Sequence, residues 1–179
     1  MYRLVDSKVY YEGKVLKLQV DEIEYTLTNN KGIREIAIHP GGAVIVPIKS
    51  DGKLVLVKQF RYPLQKELIE FPAGKLDNDE DPLICAKREL EEETGYLSDD
   101  INYIGKIYTA PGYCTELLHI FFAENLREGN HKREEGERGM QILELTQHEI
   151  LDLIKNEQIT DSKTISALFY LQSKELIKF

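Results

Sequence analysis

Three glutamates near the middle of the chain, Glu89, Glu92 and Glu93, carry the clearest chemical signal in the sequence. Residues 79–94 have the pattern of a helix, with an aspartate and a proline at the start and a glycine after the end. On such a helix the three side chains share one face, since they are spaced i, i+3 and i+4. Carboxylate oxygens on one face suit Mg²⁺ or Mn²⁺, although a run of glutamates is also typical of a helix surface exposed to solvent.

The residues around these glutamates favour the metal site. The segment follows the pattern Gly, five residues, Glu, seven residues, Arg-Glu-apolar-x-Glu-Glu-x-Gly. Its members are Gly74, Glu80, Arg88, Glu89, Leu90, Glu92, Glu93 and Gly95. Seven fixed identities of about 7% frequency each coincide by chance in about one window in 10⁸. A chain of 179 residues offers far too few windows for that coincidence.

This segment resembles the signature box of the Nudix hydrolases, which bind divalent metal ions and hydrolyse nucleoside diphosphates linked to another group. The resemblance implies that Glu89 and Glu93 are the principal metal ligands, with Glu92 beside them and the backbone carbonyl of Ala73 as a further ligand. Mg²⁺ is the expected cofactor, and Mn²⁺ is a possible replacement. The family usually has an aliphatic residue where this chain has Tyr96, and we expect only a change in packing there.

Arg88 and Glu80 also belong to the box, but neither is expected to bind the metal or the substrate. We expect Arg88 to orient the glutamates through charge-assisted hydrogen bonds. Glu80 is expected to have a structural role against the helix. The chemistry is consistent, because a diphosphate resists attack by water until metal ions neutralise its charge and activate a bound water.

Segments outside the box are similar to the ADP-ribose pyrophosphatase group of the family. They read VKQFRYPL, ELIEFPAG and TAPGYCTE, and the last contains Pro111 fifteen residues beyond the box. The resemblance implies that Arg61, Glu70 and Glu116 bind substrate. A loop arginine can equally be a surface charge, and Pro-Gly can equally be an ordinary turn.

The polar segment at residues 125–139 contains candidates for the catalytic base. Many Nudix enzymes draw a further glutamate from a loop after the box, and Glu135 and Glu137 occupy the corresponding region here. We take Glu137 as the first choice, Glu135 as the second, and Glu92 as a third catalytic candidate. The alternative is a solvated charged loop, and only the geometry of the loop can decide between them.

The first forty residues are predicted to form a separate small sheet. Short strands are expected at residues 9–11, 16–20, 23–28 and 33–38. Such a sheet has little core of its own. In the similar group it pairs across a homodimer and shapes the adenosine pocket, which implies a homodimer here and makes Arg34 a candidate substrate contact. We therefore divide the chain into a dimerisation region at residues 1–40 and a Nudix hydrolase domain at residues 41–179.

The elements that must position the box have a mixed pattern. Strands are predicted at residues 43–48 and 54–60, joined as a hairpin by Ser50-Asp51-Gly52. Further strands are expected at residues 68–71, 101–108, 117–123 and 140–145, and helices near residues 147–156 and 162–177. The predicted class is α+β, with a Nudix-type α/β/α sandwich around a mixed sheet and a small N-terminal antiparallel sheet.

Composition limits the partners. The chain has 31 acidic and 23 basic residues and a formal charge of −8, which disfavours a general affinity for nucleic acid. No segment approaches the ~20 apolar residues of a membrane span, and a cytoplasmic protein is expected. Cys85 and Cys114 have no metal or disulfide spacing, so reduced thiols are expected.

These observations lead to one principal function and two alternatives. The principal function is Mg²⁺-dependent hydrolysis of the diphosphate of ADP-ribose to AMP and ribose 5-phosphate, with a small-molecule nucleoside diphosphate as the partner. The first alternative is hydrolysis of another nucleoside diphosphate sugar on the same scaffold. The second, from another class, is a nucleotide-binding sensor that has lost catalysis. A substrate panel separates the first two, and binding without turnover would indicate the sensor.

Overall fold

The computed structural model of the chain describes residues 1–130 and 139–177. It divides into two compact units. The first contains Met1–Gly41 together with Tyr108–Leu117, and the second contains Gly42–Ile107 together with Leu118–Phe179. The first unit therefore includes a segment near residue 110 in addition to the N-terminal residues.

The first unit is built on a three-stranded antiparallel sheet in the order β1-β2-β3. The strands are β1 (Tyr2–Glu12), β2 (Lys17–Tyr25) and β3 (Lys31–Ile38). The predicted strands at residues 16–20 and 23–28 are in fact the single strand β2, so the prediction of a break between them was wrong. The acidic residues at this point do not interrupt pairing: Asp21 and Glu22 stay in register with Arg34 and Ile33 of β3, and Glu22 also forms an ion pair of 2.5 Å with Lys31.

The segment Tyr108–Leu117 belongs to this first unit through backbone contacts with β3. The N–H of Ala37 donates to the carbonyl of Tyr113 at 2.7 Å, and the N–H of Thr115 donates to the carbonyl of Ala37 at 3.0 Å. The backbone N–H of His39 donates to the hydroxyl of Thr115 at 2.9 Å. These bonds hold the Pro-Gly turn against the end of β3.

The second unit contains the remaining elements, and its strands form a mixed sheet, an antiparallel sheet and a short ribbon. In chain order, the strands and helices of the second unit are β4 (Gly42–Pro47), β5 (Leu54–Arg61), β6 (Lys66–Glu70), β7 (Ala73–Lys75), α1 (Pro82–Thr94), β8 (Tyr96–Leu97), β9 (Asp100–Tyr108), β10 (Leu117–Glu124), β11 (Arg127–Glu128), β12 (Gln141–Leu145), α2 (Gln147–Lys155) and α3 (Ser162–Ser173). A short 3₁₀ turn at Tyr62–Leu64 follows β5.

The mixed sheet has the order β7-β4-β10-β9, with β4 parallel to β10 and antiparallel to β7. The antiparallel sheet has the order β12-β5-β6, and β8 pairs with β11. The predicted hairpin between β4 and β5 was wrong, because the two strands lie in different sheets, and the isolated bridge between Ile48 and Leu54 involves the residue after β4. Both edges of β4 are already paired with β7 and β10, so β5 finds its partners in another sheet.

Two apolar clusters explain the layering of the second unit. Side chains of β4 alternate between them, since successive residues of a strand point to opposite faces. Ala43 and Ile45 pack with Leu90 of α1, whereas Val44 and Val46 pack with residues of α2 and α3. Helices therefore cover both faces of the mixed sheet, and the predicted α/β/α sandwich with an additional N-terminal antiparallel sheet is confirmed. Within residues 1–130 and 139–177, no helix is both long and apolar enough to cross a membrane.

Candidate metal centre and substrate cleft

Helix α1 places the three glutamates through well-defined ends and a buried stripe. Asp81 caps its start by accepting from the backbone N–H of Leu83 at 2.8 Å, and Gly95 ends it at φ 71°. The helix begins at Pro82 and not at the predicted position 79, because Asp79 has a left-handed φ of 55°. The opposite stripe, which contains Leu90, is buried in the sheet, so the helix cannot rotate without losing that packing.

A cleft of about 160 Å³ lies beside this helix. Most of its walls come from α1, the end of β5 and the segment at β7, all within the second unit. Its lining residues are Gln59, Arg61, Ala73, Gly74, Lys75, Asp77, Arg88, Glu89, Glu92 and Glu93. The cleft therefore brings together all four predicted metal-binding residues and one of the predicted substrate-binding residues, Arg61.

Glu93 and Glu89 are the buried carboxylates of the cleft, at 2% and 6% exposure. The backbone N–H of Ala73 donates to Glu93 at 3.2 Å, which fixes that carboxylate against β7. Glu89 lies over Gly74, and a Cβ added at Gly74 would overlap the Glu89 carboxylate. The glycine of the box is thus explained by a close approach and not by its backbone angles.

Arg88 holds three carboxylates of the box at once. It donates from Nε and Nη2 to Glu80 at 3.1 and 3.0 Å. Its Nη1 donates to Glu89 at 2.5 Å and to Glu92 at 3.1 Å. The hydrogen bonds with Glu80, followed by the charge of Glu89, raise the pKa of Arg88 above its usual value. The same hydrogen bonds lower the pKa of Glu80. This geometry is the orienting role expected for Arg88.

The donor set of the cleft fits a hard divalent cation. Glu89, Glu92 and Glu93 and the residues Ala73 and Gly74 of β7 all line the cleft, and carboxylate and carbonyl oxygens are the donors that such a cation prefers. Across the part of the chain that the structure describes, no three acidic, histidine or cysteine side chains are close enough together to enclose a metal. The Nη1 atom of Arg88 binds both Glu89 and Glu92, which keeps these two carboxylates on the guanidinium.

Arg61 also lines the cleft, and its guanidinium is held by Glu70. Its Nε and Nη2 donate to the two carboxylate oxygens of Glu70 at 2.8 and 2.6 Å. Glu70 is only 1% exposed. Burial opposes its ionisation, but the hydrogen bonds of Arg61 and the charge of Lys163 outweigh burial and hold the pKa of Glu70 below its usual value. In this arrangement Glu70 contacts Arg61 and does not line the cleft.

Comparison with known protein families shows which family the chain belongs to. The NUDIX domain matches residues 38–168, which include the whole box and both walls of the cleft. The chain belongs to the Nudix family. The family resemblance of the box is therefore confirmed, and the protein is a Nudix hydrolase.

Three relatives resemble this Nudix enzyme over most of its length. An ADP-ribose pyrophosphatase of Bacillus subtilis is 41% identical over 178 residues, covering 98% of this chain and 95% of the relative. A methanol dehydrogenase activator of Bacillus methanolicus is 39% identical, with the same coverage of 98% and 95%. A GDP-mannose pyrophosphatase of Escherichia coli O157:H7 is 36% identical, covering 87% of this chain and 88% of the relative.

A solved structure supports the fold of this Nudix enzyme. The crystal structure of an ADP compounds hydrolase superimposes with a TM-score of 0.85, covering 96% of this chain and 92% of that chain. The two sequences are 20% identical, so this likeness concerns the fold alone.

The remaining predicted substrate contacts, Arg34 and Glu116, belong to the first unit. Arg34 donates to the hydroxyl of Tyr25 at 2.7 Å, and its guanidinium lies 5.7 Å from the centre of the Tyr25 ring. Glu116 accepts from the hydroxyl of Thr109 at 2.7 Å and lies 3.4 Å from the Nδ1 atom of His39. Both side chains therefore have polar partners within the first unit.

The two loop glutamates proposed as catalytic bases, Glu135 and Glu137, lie outside the residues that the structure describes. Of the three catalytic candidates only Glu92 can be placed, and it lines the cleft. Its side chain is 26% exposed, compared with 8% for that of Glu89, so Glu92 is the more accessible of these two to water.

Lys163 was not predicted from the sequence, and it is linked to the cleft through Glu70, which binds Arg61. Lys163, in the first turn of α3, forms an ion pair with Glu70 and a second with Asp161 at 3.0 Å. Its side chain is only 13% exposed, which is unusual for a lysine. Because 93 residues separate Lys163 from Glu70, no local pattern links them. The available signal was a lysine two residues after a helix-capping aspartate, and that pattern is common on surfaces.

Proposed function

We propose that this Nudix hydrolase splits the diphosphate of ADP-ribose into AMP and ribose 5-phosphate with Mg²⁺, and that Mn²⁺ can replace Mg²⁺. The observation that carries the proposal is the presence of opposite charges in one small cleft. Glu89, Glu92 and Glu93 form its acidic wall, and the guanidinium of Arg61 lines the same cleft. The Bacillus subtilis relative, named an ADP-ribose pyrophosphatase, supports the choice of substrate.

The acidic wall accounts for the need for metal. A diphosphate carries about two negative charges, and carboxylates would repel it unless cations lay between them. In this proposal Glu89 and Glu93 are the principal ligands, with Glu92 and the Ala73 carbonyl completing the set. When bound, the metal neutralises the diphosphate and lowers the pKa of a bound water. The protein's own part is to keep four oxygen donors on rigid elements.

Arg61 is proposed to bind a phosphate oxygen or the terminal ribose. Two of its five N–H groups donate to Glu70, and among residues 1–130 and 139–177 no hydrogen bond engages the Nη1 side, which is proposed to meet an anion. A guanidinium fixed on one edge by a buried carboxylate loses little conformational entropy on binding phosphate.

Three glutamates are proposed as candidates for the general base. In order of preference they are Glu137, Glu135 and Glu92.

The test is a panel of nucleoside diphosphate compounds assayed with Mg²⁺, with Mn²⁺ and with chelator, with the products identified by mass. We expect AMP and ribose 5-phosphate from ADP-ribose, and no products with chelator. A preference for another sugar nucleotide, such as GDP-mannose, would favour the first alternative, which the 36% identical GDP-mannose pyrophosphatase supports. Turnover in chelator at the full rate would overturn the metal-dependent proposal.

The sensor alternative is favoured by a different observation. A methanol dehydrogenase activator is 39% identical to this chain, so proteins this similar can be named for an effect on a partner. However, the chain keeps every carboxylate and the glycine of the box, which a silent binding module would not need. Saturable binding of ADP-ribose without turnover in the same panel would favour the sensor.

The first unit is proposed to form a homodimer. Its β1 strand is exposed along its whole length and carries apolar side chains such as Leu4 and Val9. Sedimentation of the intact chain should give a dimer, and the double variant Leu4→Lys, Val9→Lys should sediment as a monomer. A wild-type monomer at micromolar concentration would contradict the dimer proposal.

Two further predictions remain proposals. Arg34 and Glu116 are proposed as substrate contacts, and the protein is proposed to be cytoplasmic.

A further inference from the structure

Lys163 is a lysine of the second unit with a largely buried side chain, and sequence patterns did not reveal its role. We propose that Lys163 is a positioning residue, which acts through Glu70 to hold the Arg61 guanidinium in the cleft with its positive charge available to a diphosphate. This inference rests on the proposed function, since it concerns how the substrate anion is bound. Lys163 itself does not line the cleft, so a direct contact with substrate is not part of the proposal.

The first step in the argument is the sharing of one carboxylate by two cations. Glu70 accepts from Arg61 through both of its oxygens, and its Oε2 atom also accepts from Lys163. A buried carboxylate needs compensation by charge and by hydrogen bonds, and these contacts supply both. Lys163 thereby fixes the same oxygen that binds Nη2 of Arg61.

The second step is the rigid anchoring of Lys163. Asp161 caps α3 and accepts from both the N–H and the hydroxyl of Thr164, at 2.9 and 2.7 Å. The hydroxyl of Thr164, which is fully buried, accepts from the backbone N–H of Phe71 at 2.9 Å. Phe71 follows Glu70 directly, so the start of α3 is bonded to the end of β6 at the residue next to the shared carboxylate. The other oxygen of Asp161 pairs with Lys163.

The third step is the charge balance. The group of Arg61, Glu70, Lys163 and Asp161 contains two cations and two carboxylates. Without Lys163 this group would carry a net negative charge beside the acidic wall of the cleft, and Arg61 would act mainly as the counter-charge of Glu70. With Lys163 present, Glu70 divides its charge between two cations, and more of the positive field of Arg61 is available to an anion.

The experiment compares Lys163→Met, which keeps the length but removes the charge, with Lys163→Arg, which restores a cation. A matched control is Lys58→Met, because Lys58 forms an ion pair of 2.5 Å with Glu67 between the same two strands that carry Arg61 and Glu70. We expect Lys163→Met to raise KM for ADP-ribose about tenfold with kcat changed little, as for loss of a charged hydrogen-bond partner. Lys163→Arg should recover most of the loss, and Lys58→Met should match the wild type.

A double-mutant cycle with Arg61→Ala separates positioning from simple stabilisation. If Lys163 acts through Arg61, Lys163→Met should change KM less than about twofold once Arg61 is already absent. If Lys163 only stabilises the fold, its effect should persist in the Arg61→Ala background and follow Tm, and the inference would be wrong. Lys163→Gln, which retains N–H donors for Glu70 and Asp161, replaces Lys163→Met if the latter does not fold.

The two proposals fail in distinguishable ways. No turnover of ADP-ribose by the wild type would reject the proposed function. Normal turnover by the wild type with an unchanged KM in Lys163→Met would reject the role of Lys163 alone. When ADP-ribose is not the substrate, the same cycle is carried out with the compound that the panel identifies.

Discussion

The carboxylate of Glu89 lies in the space that a Cβ at Gly74 would occupy. Gly74→Ala should therefore displace Glu89 while changing nothing on the apolar stripe of α1. We expect kcat/KM to fall about a hundredfold, because a shift of about 1 Å in a metal ligand misaligns the reacting groups. Steady-state kinetics over a range of Mg²⁺ concentrations provides the measurement.

Two outcomes of this substitution are informative. Retained Tm with lost activity would locate the effect in the cleft, as expected. Full activity would mean that Glu89 is not required where the structure places it. Loss of folding would be uninformative for Glu89 alone, and Glu89→Gln then tests the same ligand without adding a Cβ.

Two glutamates of α1, Glu93 and Glu91, provide a test of the metal site and a control for it. Glu93 is buried and lines the cleft, whereas Glu91 does not line it. Glu93→Gln should lower Mg²⁺-dependent turnover by more than about a hundredfold, because a ligand that binds metal directly should cost at least as much as an outer partner. Glu91→Gln removes the same charge from the same helix and should keep activity within about twofold of wild type. Equal losses in both variants would point to a general charge effect and against the metal site.

Replacing Arg88 with the other long cationic residue, lysine, should lower the activity. Arg88→Lys keeps the charge, but an ammonium cannot reproduce the planar fork that donates to Glu80, Glu89 and Glu92. We expect activity to fall about 10- to 100-fold, the usual cost of losing a partner that orients metal ligands. The check is activity against Mg²⁺ concentration, with Tm measured in parallel. Unchanged activity at every Mg²⁺ concentration would show that the fork has no orienting role.

Glu70 should make the stability of the protein sensitive to acid. Its pKa is lowered in the folded state, so its contribution is present above the unfolded value of about 4.3 and is lost as pH falls through the folded pKa. At neutral pH, Glu70→Gln should cost up to about 3 kcal/mol, because the partly exposed Arg61 and the largely buried Lys163 lose their shared, buried carboxylate. Urea unfolding of both proteins at pH 7, 5 and 3 should show this difference shrinking in acid. A constant difference at all three pH values would contradict the assignment.

The acidic wall of the cleft could be predicted from sequence because its determinants are local. Glu89, Glu92 and Glu93 lie within two turns of one helix, and fixed helical geometry converts their spacing into a shared face. Gly74 is close in sequence as well, and its requirement for hydrogen in place of a Cβ fixes its identity. Short-range geometry and residue identity therefore carried this part of the site.

The rest depends on pairings between distant segments, which a single sequence does not encode locally. The turn at Ser50-Asp51-Gly52 predicted a hairpin, but the preference of β4 for β10 and β7 decided its neighbours. Likewise, Glu70 was predicted as a substrate contact, but no local pattern indicated that Arg61 and Lys163 both bind its carboxylate. The residues of a turn specify where the chain reverses, whereas burial of the strands determines which strands pair in a sheet.

The separation of 93 residues between Glu70 and Lys163 also affects how the protein emerges from the ribosome. At about 5–20 residues per second, Lys163 is synthesised roughly 5–20 s after Glu70. During that interval Arg61 is the only cation of the pair available to Glu70, and the backbone N–H of Phe71 lacks the hydroxyl of Thr164. Nascent chains that stop before α3 should thus be sensitive to proteases, although their catalytic box is already complete.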